Sequence, residues 1–161
     1  MVFKKIINDP YKVVDEMVDG IVLAHHDILK FANNNKRAVV RKDAPIKDKV
    51  GILIGGGSGH EPAFVGYVGK GLADGAAIGN VFASPSPDPI VDSTKAISGG
   101  KGVVYMYGNY AGDIMNFDMA AELCAAENIP VKTVLVTDDI ASAPIDNKKD
   151  RRGVAGDFYV F

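Results

Sequence analysis

The sequence Lys49-Val50-Gly51-Ile52-Leu53-Ile54 runs directly into Gly55-Gly56-Gly57-Ser58-Gly59-His60-Glu61-Pro62. A short apolar, β-branched run is a strand that must be buried on both faces. A glycine-rich turn directly after it places a loop at the carboxyl end of that strand. This arrangement is typical of a parallel sheet, in which ligands gather outside the carboxyl ends of the strands. Few other architectures accommodate such a junction.

The rest of the chain supplies the alternation this needs. Asp9-Pro10 reads as a helix start, with Asp9 as N-cap and Pro10 at the first helical position. Val13, Val14, Met17, Val18, Ile21 and Val22 follow with helical spacing, which predicts a helix to about Phe31, stopping before Asn33-Asn34-Asn35. Strands are expected at 38–40, 49–54, 76–82, 102–107 and 131–136, and helices at 89–97 and 114–126. The segment from Pro62 to about Leu72 reads as helix or loop. The resulting fold class is α/β: a mostly parallel sheet flanked by helices and built from β-α-β units. Residues 1–161 form one domain with no internal repeat. The apolar run Gly156-Asp157-Phe158-Tyr159-Val160-Phe161 has no polar tail, and we expect the chain to be truncated there.

Composition excludes several classes of function. The 161 residues hold 18 Lys and Arg against 20 Asp and Glu, a net charge of −2. That balance gives no footprint for nucleic acid. The single cysteine, Cys124, rules out an internal disulfide and a cysteine-based zinc site, and its Ala-rich surroundings suit a packing thiol. No apolar run is long enough to cross a membrane. The start Met1-Val2-Phe3-Lys4-Lys5 leads into too short an apolar stretch for a signal peptide, so a reducing cytoplasm is the expected location.

Two loops at strand ends carry the candidate chemistry. The glycines around Ser58 let backbone approach a ligand, and a following helix would add its N-terminal partial charge. The loop is not a phosphate-binding Gly-Lys-Ser/Thr loop. His60 occupies the position where G-x-G-x-x-G and G-x-S-x-G each require glycine. A glycine loop ending in His60-Glu61 suits a small polar ligand beside a proton-transfer group, or else a tight turn that His60 merely caps. The second loop is Gly108-Asn109-Tyr110-Ala111-Gly112-Asp113. Asp113 reads as a general base, a hydroxyl acceptor or the N-cap of the next helix. Converging strand ends would bring His60 and Asp113 around a polyol or sugar. Asp138-Asp139 is a weaker candidate for metal, and Lys148-Lys149-Asp150-Arg151-Arg152 reads as a solvated basic loop. His25 and His26 read as surface residues.

Taken in order, the motifs Gly55–Pro62, Phe82-Ala83-Ser84-Pro85-Ser86-Pro87-Asp88, Asn109–Asp113, Asp138-Asp139 and Arg151-Arg152-Gly153-Val154-Ala155-Gly156 resemble the dihydroxyacetone kinases. The likeness is to the substrate-binding subunit of the phosphotransferase-dependent enzymes, or to the equivalent domain of the ATP-dependent ones, and it runs over nearly the whole chain. The resemblance implies that the protein binds a short ketose such as dihydroxyacetone. It implies a homodimer that binds no cofactor or metal itself, the phosphoryl donor, ADP or ATP with Mg, being held on a partner subunit or domain. By motif match, Gly57, Ser58 and Gly59 contact substrate, His60 acts in acid–base catalysis, and Asp113 holds or activates the accepting hydroxyl. It also implies a substrate-contacting lysine just before the Asn-Tyr of the second loop, where this chain has Gly108. Loss of that cation opens space for a larger ketose, such as a four-carbon sugar. The family subunit is about twice this length, and the histidine that captures the substrate carbonyl lies in its later half. An alternative in the same family is a non-catalytic ketose sensor acting as a transcriptional co-activator.

Overall fold

The computed structural model describes residues 6–161; the expectation that the chain starts without a signal peptide rests on residues outside them. Two layers of helix cover a six-stranded sheet of order β1-β2-β4-β3-β5-β6. The strands are β1 (Leu29–Ala32), β2 (Asn35–Arg41), β3 (Gly51–Ser58), β4 (Gly75–Val81), β5 (Val103–Gly108) and β6 (Val131–Val136). Strands β4, β3, β5 and β6 run parallel, while β1 and β2 form an antiparallel margin. The expected α/β class with a mostly parallel sheet is therefore what the chain adopts. The helices are α1 (Val13–Ala24), α2 (Pro87–Ile97), α3 (Ala111–Ala126) and the short α4 (Asp157–Val160). Units β4-α2-β5 and β5-α3-β6 are the β-α-β repeats.

Alternation along each central strand feeds two separate cores. Leu53, with Val40, Ala77, Tyr105 and Tyr107, packs under Ile90, Ile97 and Phe117 of α2 and α3. Ile54, with Val39 and Ile78, packs on the other face with Val14, Val18 and Val22 of α1. Burying both faces is what makes these strands read as continuous apolar runs.

Three expectations need correction. The first helix ends at Ala24, capped by His25, not near Phe31. The stripe Val14-Val18-Val22 is exhausted there, and His25, His26 and Asp27 offer nothing to bury. Leu29–Ala32 turns back as β1 against β2, and Asn33 and Asn34 take the left-handed conformation (φ 48° and 58°) that a tight hairpin turn requires. Nor does Asp9 cap α1. Its Oδ1 accepts from Tyr11 N at 2.9 Å, closing a turn ahead of the helix, whose N-cap position is Lys12. Finally, β3 does not stop at Ile54. It continues through Gly55 and Gly56 to Ser58, paired with β4. After it comes one 3₁₀ turn at Val65–Tyr67 rather than a helix, as Pro62, Gly66, Gly69 and Gly71 disfavour one. Of the two readings of this segment, helix or loop, it is the loop that forms, so no α-helix N-terminus stands behind the glycine run.

Candidate functional site

The sheet reverses its strand order around β3: the chain passes from β3 to β4 on one side, then crosses to β5 on the other. A crevice forms at such a switch point. Here it is a cleft of about 670 Å³ lined by Gly57 and His60 from the β3 end, Phe82 and Ser84 after β4, and Gly108 and Asp113 from the β5–α3 junction. Gly153, Asp157 and Phe161 line it from the C-terminal stretch. The two loops singled out from sequence do meet.

His60 is exposed and held in a defined orientation. Its Nδ1 lies 3.0 Å from the Gly57 carbonyl. A carbonyl only accepts, so Nδ1 carries the proton, which leaves Nε2 as the ring nitrogen able to exchange one. The Phe82 ring meets the imidazole edge-on at 5.2 Å. Phe82 itself sits at φ 53° and is 75% exposed. A bulky residue in the left-handed region is strained, and such strain collects at functional sites. Sequence reading placed Phe82 at the end of a strand and at the head of a family motif, with no role of its own.

Asp113 lies in the first turn of α3, whose N-cap position is Tyr110. The capping role considered for it is therefore not the one it has. Its Oδ1 is buried without a hydrogen-bond partner. Burial pushes its carboxyl above the ordinary range, while Ser84 and His60 pull it part of the way back.

The three glycine-loop residues differ. Gly57 lines the cleft, and a Cβ there would stand 2.7 Å from the Ala83 nitrogen, so only glycine lets the two loops close together. Ser58 is buried and its hydroxyl donates to the Gly79 carbonyl at 2.9 Å, which ties β3 to β4 and turns the side chain out of the cleft. Gly59 takes φ +105° and its N–H donates to the Glu61 carboxylate at 3.0 Å. The structure thus places Gly57, His60, Gly108 and Asp113 on one cleft, and gives Ser58 and Gly59 the task of shaping the turn.

Asp138 and Asp139 spend their carboxylates on backbone. Asp138 accepts from Val154 N at 2.8 Å and Gly156 N at 2.7 Å, and the first of these contributes most to holding its carboxyl below the usual range. Asp139 Oδ1 accepts from Ala141 N at 3.0 Å. Asn109 Nδ2 donates to the carbonyls of Lys149 and Arg151 at 3.1 and 2.7 Å, and Arg152 lies 5.5 Å from the centroid of the Tyr110 ring. The basic run therefore docks on the β5 loop and steers Gly153 to Phe161 over the cleft. Phe161 closes it by packing on Phe64 and Tyr67, with ring centroids 5.6 and 5.9 Å apart.

Through this path Asp157 reaches the cleft. Its Oδ1 is buried and unpartnered. Burial, then the charges of Asp138 and Asp113, push its carboxyl up to about 7. The sequence held no signal for it beyond an acid inside an apolar run.

Residues 19–161 match the Dak1 domain. The chain belongs to the Dak1 family. It is 55% identical to a Listeria innocua Dak1 relative named as the dihydroxyacetone-binding subunit DhaK of PTS-dependent dihydroxyacetone kinase 2, over 98% of this chain and 47% of that one. It is 46% identical to an L-erythrulose kinase of Pectobacterium atrosepticum, over 97% of this chain and 26% of that one. Among solved Dak1 structures, the dihydroxyacetone kinase from C. freundii, in complex with AMP-PNP and Mg2+, superposes with a TM-score of 0.88 at 38% identity. That alignment covers 99% of this chain and 29% of the other. The chain spans about half the length of its Listeria relative. No helix among the described residues is long and apolar enough to cross a membrane.

Proposed function

We propose that the cleft binds dihydroxyacetone or a related short ketose and presents it to a phosphoryl donor carried by a partner subunit or domain. One observation carries this reading. Asp113, with a buried oxygen lacking any donor, shares a cleft with His60, whose imidazole is fixed with Nδ1 on Gly57. A hydroxyl-bearing ligand supplies the missing donor, and the two groups then bracket it.

In the transfer step, the ketose hydroxyl oxygen forms a bond to the donor's phosphorus as the donor's own P–O bond breaks. The hydroxyl proton passes to the Asp113 carboxylate. His60 acts as acid–base partner through Nε2. Phosphoryl transfer depends chiefly on placing the hydroxyl in line and stabilising charge, which fixed side chains on a partly apolar cleft serve. Among the described residues no Lys or Arg lines the cleft. Nucleotide phosphates therefore find no cationic cradle here, which supports a donor, ADP or ATP with Mg, bound on the partner. His60 is the one histidine lining the cleft among the described residues, so a covalent hold on the ketose carbonyl requires a histidine from beyond this stretch. A cytoplasmic homodimer completes the reading.

The test uses the full-length protein with its donor partner. Dihydroxyacetone binding is followed by calorimetry and phosphoryl transfer by product formation. Asp113→Asn should lower transfer by about 10²- to 10⁴-fold. Ketose binding with no transfer from either ATP or a phosphorylated carrier would favour the sensor, and no binding would end the proposal.

A further inference from the structure

The ketose reading gives Asp157 no task, yet no other acid in the cleft is pushed up as far. Its Oδ1 is buried without a donor, and its carboxyl stands near 7. The groups around it explain why it stays unpaired. Asp138, after β6, is committed to the N–H groups of Val154 and Gly156. Asp113, from α3, is itself short of a donor at Oδ1. Arg152 lies over the Tyr110 ring, and His60 across the cleft is bonded to Gly57. From the end of β5, Gly108 turns a bare Cα to the acid. A Cβ there would stand 3.3 Å from Asp157 Oδ2 and 3.2 Å from the Gly153 carbonyl oxygen. Oδ2 therefore lies close beside Gly108, where any larger residue would have to displace it, and the two residues line the cleft together.

A carboxyl with one buried, unpartnered oxygen is a standing cost to the fold, and a ligand hydroxyl that donates to the other oxygen, Oδ2, beside Gly108 stabilises the acid as a whole. The chemistry of that ligand group follows from its surroundings. With two carboxyl groups nearby and no Lys or Arg among the described residues lining the cleft, an anionic substituent is disfavoured, whereas a neutral hydroxyl donates. The cleft, at about 670 Å³, has room for a chain longer than a triose. We propose that Asp157 is the specificity-determining residue of the cleft, accepting a hydrogen bond from the hydroxyl on the fourth carbon of a ketose that extends past Gly108. This rests on the ketose reading above.

The experiment compares erythrulose with dihydroxyacetone by calorimetry on the full-length protein, from about pH 5.5 to 8.5. Parent, Asp157→Asn and Asp157→Ala are measured side by side. The readout is the ratio of the two affinities. In the parent it should rise as pH passes about 7, because the ionised carboxylate accepts more strongly. Asp157→Ala should lower the ratio about tenfold at high pH. Asp157→Asn, which keeps shape and one acceptor oxygen, should lower it less and abolish its pH dependence. A purely structural role would leave that profile in place. If the ratio and its pH profile are unchanged in both variants while both ketoses still bind, Asp157 does not read the fourth carbon. If the parent binds neither ketose, the ketose reading itself fails.

Discussion

At the residue scale, the chemistry of the cleft is set by donors and acceptors that find no partner inside the fold. Asp113 and Asp157 each bury an oxygen without a hydrogen bond, which a fold tolerates where a ligand supplies the bond. On the ketose proposal, Gly108 sets how much room that ligand has. Gly108→Lys would put a Cβ within 3.2–3.3 Å of Gly153 O, the Tyr110 ring and Asp157 Oδ2, a fit needing shifts of a few tenths of an ångström. Its ammonium would then pair with Asp157 and fill the free space. The expected outcome is a turnover preference moved from erythrulose towards dihydroxyacetone by about tenfold. An unchanged preference and affinity would show that position 108 does not set ligand size. His60 and Asp113 were legible from sequence because each stands within a few residues of a strand's carboxyl end. Phe82, with its left-handed backbone, was not, since nothing in its neighbours' identities marks strain. Ser58 entered as a ligand contact by motif match, and its position among glycines did not show that its hydroxyl is spent on the Gly79 carbonyl.

At the element scale, α3 is the arm that delivers Asp113, and one side chain anchors it. Phe117 is fully buried, stacked on Tyr107 at 4.1 Å and edge-on to Tyr105 at 5.3 Å. Phe117→Ala should cost about 3–5 kcal/mol in urea unfolding and should lower phosphoryl transfer as the first turn of α3 loosens. A loss under about 1 kcal/mol would mean that α3 is held by other contacts. Helices α2 and α3 and strands β2 to β6 followed from periodicity and composition, because local spacing and burial agree there. Where they disagreed, tertiary pairing won: Leu29–Ala32 continue a helical-looking pattern but gain a strand partner in β2. Likewise the glycine run was taken for a loop, yet Gly55 and Gly56 complete β3 on β4. A strand made of glycine carries no propensity to announce it; the ladder hydrogen bonds create it.

At the scale of the whole molecule, the same acids tie stability to pH. Asp157 holds its proton up to about pH 7 in the fold but releases it near 4 when unfolded. The folded state therefore binds more protons between those values, and stability falls as pH rises through that window. Asp113, also raised, acts in the same direction. Asp138, held low by its backbone donors, acts oppositely and loses its contribution only in stronger acid. The protein should melt roughly 3 to 6 °C lower at about pH 8 than at about pH 5, and Asp157→Asn should remove most of that difference. A melting temperature that climbs with pH over this range would contradict the buried, unpaired state of Asp157. The sequence by itself determined the α/β class, the order of strands and helices from β2 to β6, and the two strand ends near which His60 and Asp113 stand. Each of these rests on interactions between residues close in the chain, and spacing records such interactions. Only the tertiary structure decided what else enters the cleft. Asp157 arrives there because Asp138 clamps the Val154–Gly156 turn and Phe161 packs on Phe64 and Tyr67. Contacts between segments so far apart leave no periodic trace, and they exist only once the sheet has brought the strand ends together.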